Sequence, residues 1–128
     1  MIVFTVDLKN QPGELAHLCE ALAQRGVNVI LAGHSAGDHG LVSLTGSDEA
    51  AARTALNEAS VSFTEHPALQ VKMADRPGEI ARVARMLSDA HVNIESFLPT
   101  SICGGEATAA ICVDKMDDAR RVLGDSVL

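Results

Sequence analysis

Tryptophan and tyrosine are absent from the chain, and Phe4, Phe63 and Phe97 are its only aromatic residues. A core must therefore be built from Val, Ile, Leu and Ala, and there are almost no side chains on which unstacked bases could rest. Basic residues are also scarce, with ten Lys and Arg against seventeen Asp and Glu and a net charge of −7. That balance repels polyanions, so direct nucleic-acid binding ranks last among the function classes. The three cysteines, Cys19, Cys103 and Cys112, are odd in number and lack Cys-x-x-Cys spacing, which excludes a disulfide framework and a zinc knuckle. No apolar run approaches the roughly 18 residues of a membrane span. The first residues, from Met1 to Asp7, carry no basic region or cleavage-site pattern of a secretory signal. The expectation is a cytoplasmic protein with no membrane association.

What is present is an ordinary globular composition, 47% hydrophobic and 21% charged, over 128 residues. That length holds one average domain or two very small ones. An internal repeat decides between them. Asn10-Gln11-Pro12-Gly13-Glu14-Leu15-Ala16 returns 65 positions later as Asp75-Arg76-Pro77-Gly78-Glu79-Ile80-Ala81, and Leu22, Val27, Asn28 and Val29 meet Leu87, Val92, Asn93 and Ile94 at the same shift. A Pro-Gly pair at a chosen position arises by chance about once in three hundred. Two copies with matched flanks therefore mark a duplication, with modules expected over 1–66 and 67–128.

Each copy reads β-α-β-β-α-β. In the first, Ile2 to Leu8 is a strand, and Pro12 after Asn10 opens a helix that carries Leu15, Leu18 and Leu22 at helical spacing and stops at Gly26. Strands at 27–32 and 41–45 flank a turn placed at Gly33 to Gly40. Ser47 caps a second helix through Ala59, and Val61 to Thr64 is the last strand. The second copy gives a strand at 69–74, a helix at 77–90, strands at 92–98 and 107–113 around Gly104-Gly105, and a helix at 116–123. Only a stump at Asp125 to Leu128 stands where the fourth strand belongs. The fold class is α+β: two ferredoxin-like modules, each an antiparallel sheet with helices on one face. Glu65-His66-Pro67 is the only hinge candidate between them.

These residues resemble the ACT domain family, whose first loop and helix carry Asx-x-Pro-Gly-x-aliphatic followed by Val-Asn-Ile. Asn10-x-Pro12-Gly13-x-Leu15 with Val27-Asn28-Val29, and Asp75-x-Pro77-Gly78-x-Ile80 with Val92-Asn93-Ile94, both match. The resemblance implies a stand-alone regulatory protein of two modules, similar in layout to bacterial regulators of glycine cleavage. It implies that an amino acid or related metabolite is held between paired modules, with Gly13 sharing a cleft with Asn93 and Gly78 with Asn28. Physical chemistry agrees with that role. The backbone N–H groups of Gly13, Glu14 and Leu15, and of Gly78, Glu79 and Ile80, open helices whose positive ends suit a carboxylate. Asn28 and Asn93 offer amides that donate and accept. Asn10 and Asp75 complete the pocket edge. The copies differ in charge, since Asn10-Gln11 is neutral and Asp75-Arg76 is not; Asp75 either pairs with a ligand ammonium or caps the helix.

Other constellations carry less. Among the five histidines only His34 and His39, flanking one turn, form a pair that merits a metal test, and the expectation is no metal and no cofactor. Cys103 has no histidine beside it in sequence to make it a nucleophile. Gly33-x-x-x-Gly37-x-x-Gly40 lacks the Lys-Ser/Thr of a phosphate loop. The reading is a non-catalytic, amino-acid-binding regulator acting on an unidentified target, with an interaction module that binds no metabolite as the alternative. The missing edge strand adds the expectation of a homodimer.

Overall fold

The computed structural model describes residues 1–128. The first half runs β1 (Ile2–Lys9), α1 (Glu14–Gln24), β2 (Val29–Ala36), β3 (His39–Gly46), α2 (Glu49–Glu58) and β4 (Ser62–Pro67). The second runs β5 (Leu69–Ala74), α3 (Glu79–Asp89), β6 (Ile94–Cys103), β7 (Glu106–Val113) and α4 (Met116–Leu123), followed by a short 3₁₀ turn at Gly124–Ser126. Two compact units result, Ile2–His66 and Pro67–Leu128, the latter including Met1. In the first sheet the strand order is β2-β3-β1-β4, and in the second it is β5-β7-β6. The return strand of each hairpin lies in the middle: β3 pairs antiparallel with β1 and β2, and β7 with β5 and β6.

The aliphatic composition fills both cores in the same pattern. Phe4, Val6 and Leu8 alternate inward along β1 and meet Leu18 and Leu22 of α1; Leu69, Val71 and Met73 do the same along β5 and meet Val83 and Leu87 of α3. The single aromatic contact sets Phe4 against Phe63, centroids 6.1 Å apart and tilted. Each first helix starts on a left-handed glycine, Gly13 and Gly78, both at φ 90° with no side-chain cap. The helices therefore begin at Glu14 and Glu79, two residues after the prolines expected to open them, and Asp75 does not cap α3.

The hairpins are longer than the glycine pattern predicts. Ala36 pairs with His39, so the first turn is only Gly37-Asp38. Gly33 and Gly40, read as turn residues, are in strands, and a Cβ on Gly33 would press on the Leu41 carbonyl and Val42 at 3.2 Å. Close approach of a neighbouring strand calls for glycine there, not chain reversal. In the second module β6 has ten residues and two register irregularities, between Ile94 and Ser96 and between Pro99 and Ser101. The repeat shift accordingly grows from 65 to 67 beyond this strand.

Two further boundaries move. Asp48, not Ser47, caps α2 by accepting the Ala51 N–H, because the Ser47 hydroxyl is taken by the Asn28 N–H. Glu65, His66 and Pro67, expected as a hinge, belong to β4. At the far end Val127 forms one antiparallel bridge with Val71, and the Leu128 N–H donates to the Gln70 carbonyl at 2.8 Å. The stump is thus a single bridge on the outer edge of β5.

Both first helices end alike. Val27 donates to the Leu22 carbonyl and Val92 to that of Leu87, each across a left-handed residue. In the first module that residue is Gly26 (φ 70°), and in the second it is His91 (φ 58°). A Cβ in that conformation costs about 1 kcal/mol. His91→Gly should stabilise the protein by roughly 0.5–1 kcal/mol; an unchanged or lower midpoint in urea unfolding would show that the histidine side chain compensates.

Candidate ligand clefts

In both modules the sheet register carries the hairpin tip to the end of the first strand. Leu8 lies opposite Gly40 and Met73 opposite Ala107. A backbone bond then ties the loop to the tip: the Asn10 N–H donates to the Asp38 carbonyl and the Asp75 N–H to the Gly105 carbonyl, each at 2.9 Å. Between the loop, the first helical turn and the hairpin a cleft is left open in each module.

The first cleft has a volume of about 290 Å³ and is lined by Leu8, Lys9, Asn10, Gln11, Glu14 and Leu15, with Leu31, Gly33, His34, Ser35, Gly40, Leu41 and Val42 from the hairpin. The second, about 110 Å³, is lined by Met73, Ala74, Asp75, Arg76, Glu79 and Ile80, with Phe97, Pro99, Ile102, Ala107, Thr108 and Ala109 from the hairpin. Asn10, Gln11, Glu14 and Leu15 thus share one cleft, and Asp75, Arg76, Glu79 and Ile80 the other. Gly13 and Gly78 adjoin them without lining them, with open space where a Cβ would sit. Asn28 and Asn93 lie at the opposite end of their own sheets. There the Asn28 N–H donates to Ser47 Oγ at 3.0 Å and the Asn93 N–H to Asp114 Oδ1 at 2.8 Å.

The hairpin walls escaped the sequence motif, although Gly40, Ala107 and Ala109 carry a signal in hindsight: small residues opposite the end of the first strand leave the space. Large apolar residues remain exposed around the openings, Leu15 and Leu41 at the first and Ile80 and Ile102 at the second.

Polar groups in the two clefts are used differently. In the first, Asn10 Nδ2 donates to the Gly37 carbonyl at 2.9 Å and Gln11 Nε2 to Glu14 Oε1 at 2.7 Å. In the second, Glu79 is buried and committed. It accepts Arg82 Nε at 2.7 Å and the Ala74 N–H at 3.3 Å, and the Arg82 guanidinium holds its carboxyl below the usual range. Arg76 and Asp75 have no side-chain ion pair or hydrogen bond in the structure. A carboxylate at position 75 cannot donate to the hairpin carbonyls as Asn10 does.

His39 stands at the base of the first hairpin tip. Its Nδ1 is 3.0 Å from Asp7 Oδ1 and its Nε2 3.6 Å from Asp38 Oδ1. The Asp7 hydrogen bond, then the charges of Asp38 and Asp7, raise its pKa above the ordinary value. His34 lines the cleft instead, and no group of three or more His, Cys, Asp or Glu side chains gathers as a metal site. Cys112 is buried, which pushes its thiol pKa up, and Cys103 is exposed at the second hairpin turn. No helix is long and apolar enough to cross a membrane.

Residues 68–122 match the family model of the ACT domain. The match covers most of the second module, and the first module repeats the same order of elements. No curated protein sequence matches significantly. Among solved structures, a protein from Bacteroides thetaiotaomicron superposes with a TM-score of 0.87 at 24% identity, covering 99% of this chain and 90% of that one. The ligand-free regulatory subunit of aspartate kinase from Thermus thermophilus gives 0.69 at 19% identity, covering 98% and 90%. The corresponding subunit from Thermus flavus gives 0.61 at 19%, with the same coverage. At these identities the likeness is one of fold.

The His39 clamp has a definite pH signature. Its folded pKa lies above that of the unfolded chain, about 6.5, so its stabilisation is complete below that value and is lost as pH rises through the folded pKa. In a ring-proton NMR titration His39 should titrate above about 6.5 and fall back in Asp7→Asn. Equal titration in both proteins would mean that Asp7 does not hold the imidazole.

Proposed function

We propose that this chain, a tandem of ACT-fold modules, is a non-catalytic regulatory protein that binds an amino acid in the clefts beside its Pro-Gly loops. One observation carries the reading: both modules independently build an open cleft from the same elements, the end of the first strand, the first helical turn and the hairpin. Duplicated space at a duplicated motif is what a binding role requires and a purely structural turn does not. The similarity to regulatory subunits of aspartate kinase supports a regulatory role.

The chemistry of the clefts fits binding better than turnover. Glu79 is fixed by Arg82 and the Ala74 N–H, and Glu14 is bonded to Gln11. The remaining groups are backbone amides, Lys9, His34 and Ser35 in the first cleft, Asp75, Arg76 and Thr108 in the second, and apolar walls, which suit a small zwitterion. A ligand held between loop and hairpin would favour the conformations in which the two are closed together, and that differential affinity is the signal passed to a target.

A dye-reported thermal melt of the full chain against the twenty amino acids tests this directly. A ligand at about 100 times its dissociation constant adds roughly 2.7 kcal/mol, a rise of several degrees. Selective stabilisation by one or a few amino acids is the expected result. A flat panel, repeated by equilibrium dialysis, would overturn the reading and favour a protein-interaction module that uses the exposed Leu15, Leu41, Ile80 and Ile102.

A further inference from the structure

The two clefts occupy the same place in their modules yet differ in three respects. The first is more than twice as large and is lined by Lys9, Asn10, Gln11, His34 and Ser35. The second is narrow and its walls are almost wholly apolar, with Phe97, Pro99 and Ile102 on β6 facing Ala107 and Ala109 on β7 and Met73 on β5. Its rim holds a cation and an anion, Arg76 and Asp75, neither of them in a side-chain hydrogen bond or ion pair, whereas Asn10 and Gln11 at the equivalent positions are spent on the Gly37 carbonyl and on Glu14.

Resting on the reading above, we infer that the second cleft is selective for a free α-amino acid with a branched aliphatic side chain, and that the first is not. Charge complementarity names the head group. An α-amino acid presents a carboxylate and an ammonium on one carbon, and Arg76 and Asp75 supply the counter-charges from adjacent positions on the rim. Arg76 is available because Arg82 and the Ala74 N–H already satisfy Glu79. Asp75 is available because its backbone N–H alone makes the loop-to-hairpin bond. Guanidinium suits a carboxylate in particular, since its planar donors match the two oxygens.

Volume and polarity name the side chain. A sealed apolar cavity of roughly 150 Å³ is enough for benzene, and the open space of about 110 Å³ here matches three or four aliphatic carbons more closely than an aromatic ring. Ile80 and Ile102, 58% and 67% exposed, stand at the mouth, where an aliphatic ligand would remove them from water. A polar side chain would find Thr108 as its only uncharged polar partner among the lining residues.

The test is equilibrium binding of L-leucine, L-isoleucine, L-valine, L-serine, L-lysine and L-phenylalanine to the full chain. Isopentylamine and 4-methyl-2-oxopentanoate serve as leucine analogues lacking the carboxylate and the ammonium. At least one branched aliphatic amino acid should bind about tenfold or more tightly than serine or phenylalanine. Arg76→Met should weaken it by about tenfold or more. Asp75→Asn should narrow the preference for leucine over its oxo analogue, Ile102→Asn should erode aliphatic selectivity, and Arg85→Met, at an exposed position of α3 outside both clefts, should leave all of this unchanged. Unaltered far-ultraviolet circular dichroism confirms that the exposed substitutions fold. If an amino acid binds but responds to Lys9→Met and not to Arg76→Met, or if serine, lysine or phenylalanine is preferred, this inference fails while the regulatory reading stands. If none of these six binds, this inference fails, and if in addition none of the twenty amino acids stabilises the chain in the thermal melt, the regulatory reading fails with it.

Discussion

The clefts depend on one backbone hydrogen bond made twice, from the residue after the first strand to the carbonyl at the tip of the hairpin. Asn10 to Asp38 and Asp75 to Gly105 are the same bond in the two modules. It holds a loop that would otherwise have unpaired N–H groups, and it fixes how far the hairpin leans over the first helical turn. The left-handed glycine that follows turns the chain into the helix within three residues, so loop, helix start and hairpin tip meet around a small space. Without the bond the loop and the tip would be two separate segments at one end of the sheet. With it they are the walls of a pocket.

A backbone bond leaves the side chain free to change, and the two modules show what that permits. In the first module the Asn10 amide reinforces the latch by a second bond to Gly37, and His39, held by Asp7 and Asp38, braces the same tip. The second module has neither device. Its hairpin differs along its length as well, with Pro99 and two register irregularities on β6 and a Thr100–Thr108 hydroxyl pair between β6 and β7. With the latch made by the backbone alone, the Asp75 and Arg76 side chains are left without a hydrogen bond or ion pair. Duplication followed by such changes of side chain is a simple physical route from one binding module to two with different linings.

The sequence made the repeat, the element order and the position of the loop legible because each rests on local rules: alternating apolar strands, a 3.6-residue apolar period, and Pro-Gly at a helix start. Asn10, Gln11, Glu14 and Leu15, like Asp75, Arg76, Glu79 and Ile80, could be picked out since they flank that Pro-Gly in both copies. The hairpin walls could not. Gly33 and Gly40 carry a turn signature, but at Gly33 it is the closeness of Leu41 and Val42 that calls for glycine, and cross-strand proximity is not written in a local pattern. The added residues in β6 shift Pro99, Ile102 and Ala107 out of the repeat register, so alignment at a constant 65 mismatches the very strands that line the second cleft. Glu79 shows the same limit at one residue: its place beside Pro-Gly marks it as a site residue, while its commitment to Arg82 and to the Ala74 N–H depends on packing.

The same distinction bears on how such a module would transmit a signal. The cores beneath the clefts, built around Leu18 and Leu22 in one module and Val83 and Leu87 in the other, are fully buried aliphatic clusters with no polar network to rearrange. Close-packed interiors of this kind transmit displacement and do not absorb it. The hairpin tip stands outside these cores, held to the loop by the latch and its local supports. A ligand bridging the helix start and the hairpin would act on that element first, and its effect on the rest of the protein is bounded by the difference in its affinity for closed and open tips. Under the proposed reading the second cleft is the more responsive of the two, because no side chain of its loop is tied to its hairpin tip, whereas Asn10 and His39 already brace the tip of the first.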